Sequence, residues 1–296
     1  MAERVTLAEI RSRTYKARDA WWTVALVDPL ASRLVRLVSP WRAVTPDRLT
    51  FAALLFGFGA AACFWQQSYP WLVAGALLFH LSFVIDCMDG KIARLNGTGS
   101  VFGAWLDYVF DRLRVVACTI GLFGGQYART GNLAYLWVAG LVIFLDLFRY
   151  LNALQMKQVK AEMRERLAVR TGVPVAVETD EEQTVGAAEA AGIDVYAEFR
   201  GRHGKLVEIR NFLVRHRIRV HLISGIEFQM AVFIVAPLTT SLIVVPVVTG
   251  ALLTAFELLL IYKLYAATRS FERHLRSLPV PRPSPAAQLT GSSAAG

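Results

Sequence analysis

Long apolar runs separated by short polar breaks occupy most of the chain and define its predicted elements. A membrane-spanning helix needs about 20 predominantly apolar residues. Runs of this kind cover residues 48–65, 71–92, 102–126, 133–154, 220–238 and 243–266. The pattern therefore predicts an all-α membrane protein in which residues 46–270 form a bundle of six transmembrane helices.

Three segments outside these runs are polar or amphipathic. Within the N-terminal segment 1–45, residues 28–39 place leucines opposite two arginines. This pattern is typical of an interfacial helix on the membrane surface, and a helix packed against the cytosolic end of the bundle fits it equally well. Residues 157–219 are predicted to form a cytosolic insert with helices of its own between the fourth and fifth spans. Residues 277–296 are rich in Pro, Ser, Ala and Gly, which indicates a disordered tail.

The composition agrees with a membrane protein, because 55% of the residues are hydrophobic and only 19% are charged. Ordinary soluble domains contain about 25% charged residues, so disordered chains, collagens and most soluble enzymes are excluded. The 3 cysteines lie within apolar runs and give neither a disulfide framework nor a zinc-binding pattern.

The basic residues behind the net charge of +9 follow the predicted loops. Lys and Arg are concentrated before the first span, within residues 157–219 and after the sixth span, whereas the connections 66–70 and 239–242 have none. The positive-inside rule then places both termini and the insert in the cytosol of a multi-pass protein of the cell membrane. The apolar composition and the absence of a compact basic domain favour anionic membrane lipids or phosphorylated ligands, and not nucleic acid, as the partner of the basic residues.

Four aspartates lie within or at the ends of the second and third predicted spans. A carboxylate at the centre of a membrane helix costs about 2.5–3.5 kcal/mol even on the mildest scale, so these groups need partners. Helical spacing places them on one face of each span, and the polar loop 96–99 folds the two spans into a hairpin. Clustered carboxylates select Mg²⁺, Mn²⁺ or Ca²⁺ over zinc, and four could hold two ions. The predicted metal ligands are Asp86, Asp89, Asp107 and Asp111.

Small residues and one cation accompany the aspartates. Gly90, Ala93 and Gly103 remove side-chain bulk from the acidic faces, which lets a phosphorylated group approach the backbone. Arg94 supplies a fixed positive charge that could bind a diphosphate. The alternative is that Arg94 and the aspartates only pair with one another and hold the helices together.

The spacing of these residues resembles the signature of the CDP-alcohol phosphotransferase (phosphatidyltransferase) family. The family resemblance implies six helices around a polar cavity that faces the cytosol, in a protein that is often a homodimer. It also implies a metal-dependent transfer of a substituted phosphate from a CDP-alcohol to a hydroxyl group, with release of CMP. The matching pattern is Asp86-x-x-Asp89-Gly90-x-x-Ala93-Arg94, then eight residues, then Gly103-x-x-x-Asp107-x-x-x-Asp111.

The resemblance also implies individual roles. Asp86, Asp89 and Asp107 would bind two Mg²⁺ or Mn²⁺ ions. Asp111 would complete the metal site and accept the proton of the incoming hydroxyl group. The nucleotide would contact residues of the signature and of a Pro-x-x-x-Thr element before the first span, in which Asp47 replaces the commoner Asn. These contacts are Pro46, Asp47, Thr50, Gly90, Arg94 and Ser100.

Further charged residues lie inside other predicted spans. Asp146 and Arg149 are three residues apart on one helix, and this spacing predicts that they pair with each other. Glu257 has no evident local partner in the sixth span. Arg149, Arg217 and Arg219 flank the cytosolic ends of the fourth and fifth spans, where they could bind an acceptor that carries a phosphate.

The predicted function is the transfer of phosphatidyl from CDP-diacylglycerol to a small polar alcohol in phospholipid biosynthesis. The arginines favour a phosphorylated acceptor such as inositol phosphate or glycerol phosphate. A divalent-cation transporter would also need intramembrane acids, although it has no use for Gly90 and Arg94 beside the metals. A non-catalytic membrane scaffold is the third hypothesis, but a scaffold would not need a complete set of four aspartates.

Overall fold

The chain folds into helices. A computed structural model describes residues 5–41, 43–171, 212, 215–219 and 223–277, and within these ranges it has no named strand. The α-helices are α1 (Leu7–Thr14), α2 (Asp28–Val38), α3 (Pro46–Trp65), α4 (Tyr69–Asn96), α5 (Val101–Thr119), α6 (Gly125–Thr130), α7 (Ala134–Thr171), α8 (Gly225–Met230), α9 (Ala236–Leu238) and α10 (Val244–Ser277). π-Helical turns precede α2, α6 and α9, and they cover Thr23–Val27, Ile120–Gly124 and Ala231–Val235. The predicted all-α class is confirmed for the described residues.

Four of the described helices, α3, α4, α7 and α10, are long and apolar enough to cross a membrane. They correspond to the first, second, fourth and sixth predicted spans. In place of the third span, α5, a π-helical turn and α6 follow one another from Val101 to Thr130. In place of the fifth, the apolar helical segment Gly225–Leu238 is shorter than 18 residues. The membrane character of the chain is therefore confirmed, and the count of six spans stays a prediction.

The described residues belong to two compact units, and the signature lies in the first. The first unit comprises Met1–Arg149 and His203–Glu257, and the second comprises Tyr150–Arg202 and Leu258–Gly296. Aromatic side chains fill the core of the first unit, where the ring of Phe79 lies 4.7 Å from that of Phe233, centroid to centroid. This core packs α4 against the π-helical turn that precedes α9.

The hairpin of α4 and α5 has local sequence causes at its turn. Gly97 ends α4 with φ of 64°, a left-handed conformation that glycine adopts without a steric penalty. Ser100 caps α5, because its hydroxyl oxygen accepts a 2.8 Å hydrogen bond from the backbone N–H of Gly103. The predicted turn at residues 96–99 therefore lies between the two helices that carry the signature.

The N-terminal helix α2 packs on the bundle with one side and leaves apolar side chains exposed on another. Ala31 and Val35 are buried, whereas Leu37 is 65% exposed. This burial fits the second expectation for residues 28–39, a packed helix, although packing at the cytosolic end stays a prediction. A position at the membrane surface, which the exposed leucines favour, stays a prediction.

Part of the predicted insert belongs to α7. Residues 157–171 continue this helix to Thr171 without a break. The centre of the insert, at 172–211, and the tail beyond 277 lie outside the described residues. The domain limits given by the sequence therefore stay predictions.

Gln67 joins the far end of α3 to the π-helical turn after α5. A π-turn misaligns backbone groups that an α-helix would pair. The side-chain amide of Gln67 donates to the carbonyl of Gly121 at 3.2 Å and to that of Leu122 at 2.8 Å. The chain can approach this closely because Gly121 has no side chain: a β-carbon there would lie 2.3 Å from the carbonyl oxygen of Ala61.

Replacing Gly121 by alanine is expected to destabilise the protein by about 1–3 kcal/mol, because overpacking of this size forces backbone shifts. The measurement is the free energy of unfolding in detergent micelles. Gly140→Ala is the matched control, since a β-carbon at Gly140 meets nothing within 4 Å. Equal stability of the two variants would contradict the close approach of α3 and the π-turn.

Candidate metal centre and active site

Three of the four signature aspartates form a compact group. Asp86 and Asp89 lie on α4 and Asp107 lies on α5, and one carboxylate oxygen of each lies within 4.8 Å of the others. Asp89 is buried, and the other two are partly buried. Carboxylate oxygens are the donors that Mg²⁺ and Mn²⁺ prefer. The chemistry and spacing of this group therefore fit a divalent cation.

Thr50 fixes the most buried of these carboxylates. Its hydroxyl group donates a 2.6 Å hydrogen bond to Oδ2 of Asp89, across the interface of α3 and α4. The resemblance implied that Thr50 would contact a nucleotide. That contact stays a prediction. The structure adds a contact with a candidate metal ligand, which the sequence did not indicate because the two residues are 39 positions apart.

Asp111 lies outside the three-carboxylate group and contacts two arginines. It forms an ion pair with Arg114, one turn further along α5, through its Oδ1. Its Oδ2 lies 3.4 Å from Nη2 of Arg112. The roles of Asp111 as a metal ligand and as a base stay predictions, and the two arginines hold its carboxylate in a defined orientation.

Arg114 contacts two of the signature aspartates, although the sequence had not indicated it as a site residue. Its side chain is only 2% exposed, and its Nη1 lies 3.3 Å from Oδ1 of Asp86 while its Nη2 binds Asp111. The guanidinium group therefore links the acidic faces of α4 and α5. A cation three residues after Asp111, on the same face of an apolar helix, was the signal in the sequence that could have revealed it.

The predicted pair of Asp146 with Arg149 is wrong. Asp146 instead forms an ion pair with Arg112 of α5 and accepts a 2.8 Å hydrogen bond from the side chain of Gln229. Arg149 forms an ion pair with the buried Glu257 of α10, at 2.9 Å. Asp146 and Glu257 thus each meet a cation on another helix, and partners of this kind are not visible from spacing along one helix.

Arg94, which the resemblance assigns to the nucleotide, contacts the N-terminal segment. Its Nε donates to the carbonyl oxygen of Thr14 at 3.0 Å. A β-carbon at Gly90 would lie 3.3 Å from Nη1 of Arg94, so the guanidinium group covers the glycine on the signature face of α4.

Gly103 opens space between two further candidate nucleotide contacts. A β-carbon there would lie 2.9 Å from the hydroxyl oxygen of Ser100 and 3.1 Å from Oδ1 of Asp47. Asp47 belongs to α3 and follows Pro46 in the first turn of that helix. The structure therefore brings Asp47 and Ser100 together at the start of α5, in the turn before Asp107.

A buried ion cluster attaches the N-terminal segment to the signature helix. Nζ of Lys91, the residue after Gly90, lies 2.6 Å from Oδ1 of Asp28, and Nη1 of Arg217 lies 3.3 Å from Oδ2 of the same carboxylate. Arg217 also donates to the carbonyl oxygen of Lys16. Two arginines that were expected at the acceptor site, Arg149 and Arg217, are thus bound to carboxylates of the protein itself.

Residues 43–177 match the protein-family model described as CDP-alcohol phosphatidyltransferase. The matched segment contains all the candidate metal ligands and nucleotide contacts, from Pro46 to Asp111.

Curated relatives are similar over part of the same region. An archaetidylinositol phosphate synthase of Methanothermobacter thermautotrophicus is 33% identical over 110 residues, which are 36% of this chain and 51% of that protein. A phosphatidylinositol phosphate synthase of Corynebacterium glutamicum is 33% identical over 88 residues, 30% of this chain and 37% of that protein. A CDP-diacylglycerol–glycerol-3-phosphate 3-phosphatidyltransferase of Cereibacter sphaeroides is 40% identical over 80 residues, 27% of this chain and 36% of that protein. The chain thus spans about half the length, or less, of these relatives.

Proposed function

We propose that this protein, whose residues 43–177 belong to the CDP-alcohol phosphatidyltransferase family, transfers a substituted phosphate from a CDP-linked lipid to the hydroxyl group of a small polar alcohol. CMP is the second product. The observation that carries the proposal is the group of three carboxylates within 4.8 Å, on the two helices of the matched segment that bear the signature.

Asp86, Asp89 and Asp107 would hold Mg²⁺ or Mn²⁺, and Asp111 would complete the site for a second ion. Bound divalent cations would stabilise the negative charge that develops on the phosphoryl oxygens during transfer. Thr50 supports this assignment, because its hydrogen bond to Oδ2 of Asp89 fixes the orientation of that carboxylate.

The protein's own residues bind and orient the two substrates. Gly90 and Arg94 border the cytidine and the diphosphate of the donor. The further nucleotide contacts are Pro46, Asp47, Thr50 and Ser100. The hydroxyl oxygen of the acceptor attacks the phosphorus that carries the lipid, and the bond from this phosphorus to the bridging oxygen of CMP breaks. Asp111 accepts the proton of the hydroxyl group, and CMP leaves with the bridging oxygen.

CDP-diacylglycerol is the proposed donor and a phosphorylated polyol the proposed acceptor. The names of the relatives support this choice, since two of them are synthases of inositol phosphate lipids and one transfers phosphatidyl to glycerol 3-phosphate. The arginines give less support than the sequence suggested, because Arg149 is bound to Glu257 and Arg217 to Asp28.

Release of CMP from CDP-diacylglycerol tests the proposal. The purified full chain in detergent micelles, with Mn²⁺, is expected to release CMP when inositol phosphate or glycerol phosphate is added. It should react much less with unphosphorylated inositol or glycerol. Equal reactivity of the two forms would overturn the proposed acceptor, and the absence of CMP release with every alcohol tested would overturn the proposed activity.

Two alternatives predict different outcomes in the same preparation. A divalent-cation transporter would admit Mn²⁺ into sealed proteoliposomes without any CDP-lipid and would release no CMP. A non-catalytic scaffold would do neither. A transporter has no use for Gly90 and Arg94 beside the carboxylates, and a scaffold would not need a complete set of four aspartates.

We also propose that the protein is a homodimer in the cell membrane, surrounded by membrane lipids, with both termini and the candidate site in the cytosol. The family resemblance supports the homodimer, and light scattering in detergent micelles measures it. The distribution of Lys and Arg supports the orientation.

Cysteine labelling is expected to confirm the orientation. Asn132 precedes the fourth predicted span and Glu162 follows it, so the predicted topology places these two residues on opposite sides of the membrane. In a variant without native cysteines, Glu162→Cys should react with an impermeant thiol reagent only in inside-out vesicles. Asn132→Cys, in the turn before α7, should react only in right-side-out vesicles. The reverse pattern would place the candidate site on the side opposite to the cytosol.

A further inference from the structure

The side chain of Arg114, on α5, packs against α3 and α4. A β-carbon at Gly57 of α3 would lie 2.6 Å from Cγ of Arg114, so the arginine side chain fits only because residue 57 is glycine. Nη1 of Arg114 also lies 3.3 Å from the hydroxyl oxygen of Ser82 on α4, and this hydroxyl group donates to the carbonyl oxygen of Ala53. The side chain of Arg114 is therefore packed in the interior by contacts with α3 and α4.

The guanidinium group reaches the candidate site from the interior of the bundle. Ser82 lies one turn before Asp86 on α4, away from the loop at residues 96–99. From this position Arg114 binds one oxygen of Asp86 and one oxygen of Asp111 with different nitrogens. A planar guanidinium with donors in a fixed fork can hold two carboxylates in one relative orientation, which an ammonium group cannot do.

The charge of Arg114 also acts on any cation at the three-carboxylate group. Asp86 belongs both to that group and to the ion pair with Arg114. A buried positive charge beside a metal ligand repels a divalent cation, and the repulsion is strong because the surroundings are poorly screened. A residue that orients the carboxylates therefore also opposes the binding of the metal.

We infer that Arg114 is a positioning residue that holds Asp86 and Asp111 for the reaction and, through its charge, lowers the affinity of the site for divalent cations. The part of the inference that concerns turnover rests on the proposed function. The part that concerns cation binding needs only a divalent cation at the three-carboxylate group and the charge of Arg114 beside Asp86, and no turnover.

The two effects have opposite signs, which separates this role from a merely structural one. Loss of a structural arginine would disorder the site and weaken both Mn²⁺ binding and turnover. Removal of a positioning residue that repels the metal should instead strengthen Mn²⁺ binding while turnover falls.

The experiment measures Mn²⁺ alone, by electron paramagnetic resonance of the free ion, on the purified full chain without nucleotide. Arg114→Gln is expected to lower the Kd for Mn²⁺ at least tenfold and to lower kcat for CMP release at least 100-fold. Arg114→Lys retains the positive charge and loses the planar set of donors that binds two carboxylates. Its Kd for Mn²⁺ should therefore stay within threefold of the original, while kcat falls at least tenfold. Arg166→Gln is the control, because Arg166 pairs with the exposed Glu162 in the other unit, and both quantities should stay unchanged.

An Arg114→Gln variant with an unchanged or higher Kd for Mn²⁺, or with kcat within threefold of the original, would overturn the inference. If this variant does not fold, Arg114→Lys decides the question: unchanged kcat, or loss of Mn²⁺ binding, would overturn it. A failure of the proposed function can be told apart from a failure of this inference. In the first case the unaltered chain releases no CMP, while the shift in Mn²⁺ affinity can still be measured.

Discussion

Asp111→Asn is expected to lower the rate of CMP release by about 10²–10⁴-fold, the usual contribution of a positioned general base. Asparagine has the shape of aspartate and cannot accept the proton of the attacking hydroxyl group. Mn²⁺ binding should persist, because the three carboxylates within 4.8 Å of one another do not include Asp111. The measurement compares kcat with the Kd for Mn²⁺ in the same preparation.

Asp107→Asn provides the contrast for this prediction. Asp107 belongs to the three-carboxylate group, so its replacement should weaken Mn²⁺ binding and turnover together. Near-normal turnover in Asp111→Asn would remove that residue from the proposed mechanism. If Asp111→Asn loses as much Mn²⁺ affinity as Asp107→Asn, Asp111 contributes as much to metal binding as Asp107 does.

Local spacing along a helix was enough to predict the acidic group. Asp86 and Asp89 are three residues apart on α4, and Gly97 and Ser100 close the turn that brings Asp107 opposite them. These features depend on helical periodicity and on the chemistry of helix ends, both of which can be read from adjacent residues.

Partners that are distant in the sequence could not be predicted in this way. Thr50 meets Asp89 across 39 positions, and Asp28 meets Lys91 across 63. The predicted pairing of Asp146 with Arg149 failed for the same reason, because periodicity shows which residues can meet on one helix and gives no information about competing cations on other helices.

The third predicted span shows a limit of a different kind. Its apolar pattern predicts one continuous helix, whereas the structure has a π-helical turn from Ile120 to Gly124. Gln67 compensates the misaligned carbonyl groups from the turn between α3 and α4. A hydrophobic pattern indicates which side of a helix is apolar. It does not indicate where a turn contains the extra residue that makes it π-helical.

Asp28→Ala is expected to destabilise the protein by about 3–5 kcal/mol, the usual result of removing one partner from a buried ion pair. The side chains of Asp28 and Lys91 are 3% and 5% exposed, so the ammonium group would be left without its carboxylate and almost without water. Arg217 would lose the same partner. The free energy of unfolding in detergent micelles, measured by chemical denaturation, tests this expectation.

Two further variants separate an uncompensated charge from a general loss of packing. Glu9→Ala breaks the exposed pair with Arg13 and should change stability by no more than about 1 kcal/mol. Asp28→Ala combined with Lys91→Met removes both charges of the buried pair, so most of the lost stability should return, since apolar replacement of a buried ion pair is often neutral. A double variant no more stable than Asp28→Ala would show that the loss comes from the contact with Arg217 or from the packing of α2, and not from the ammonium group of Lys91. If stability returns, the buried charge of Lys91 on the signature helix is tolerated because Asp28 of the N-terminal segment neutralises it.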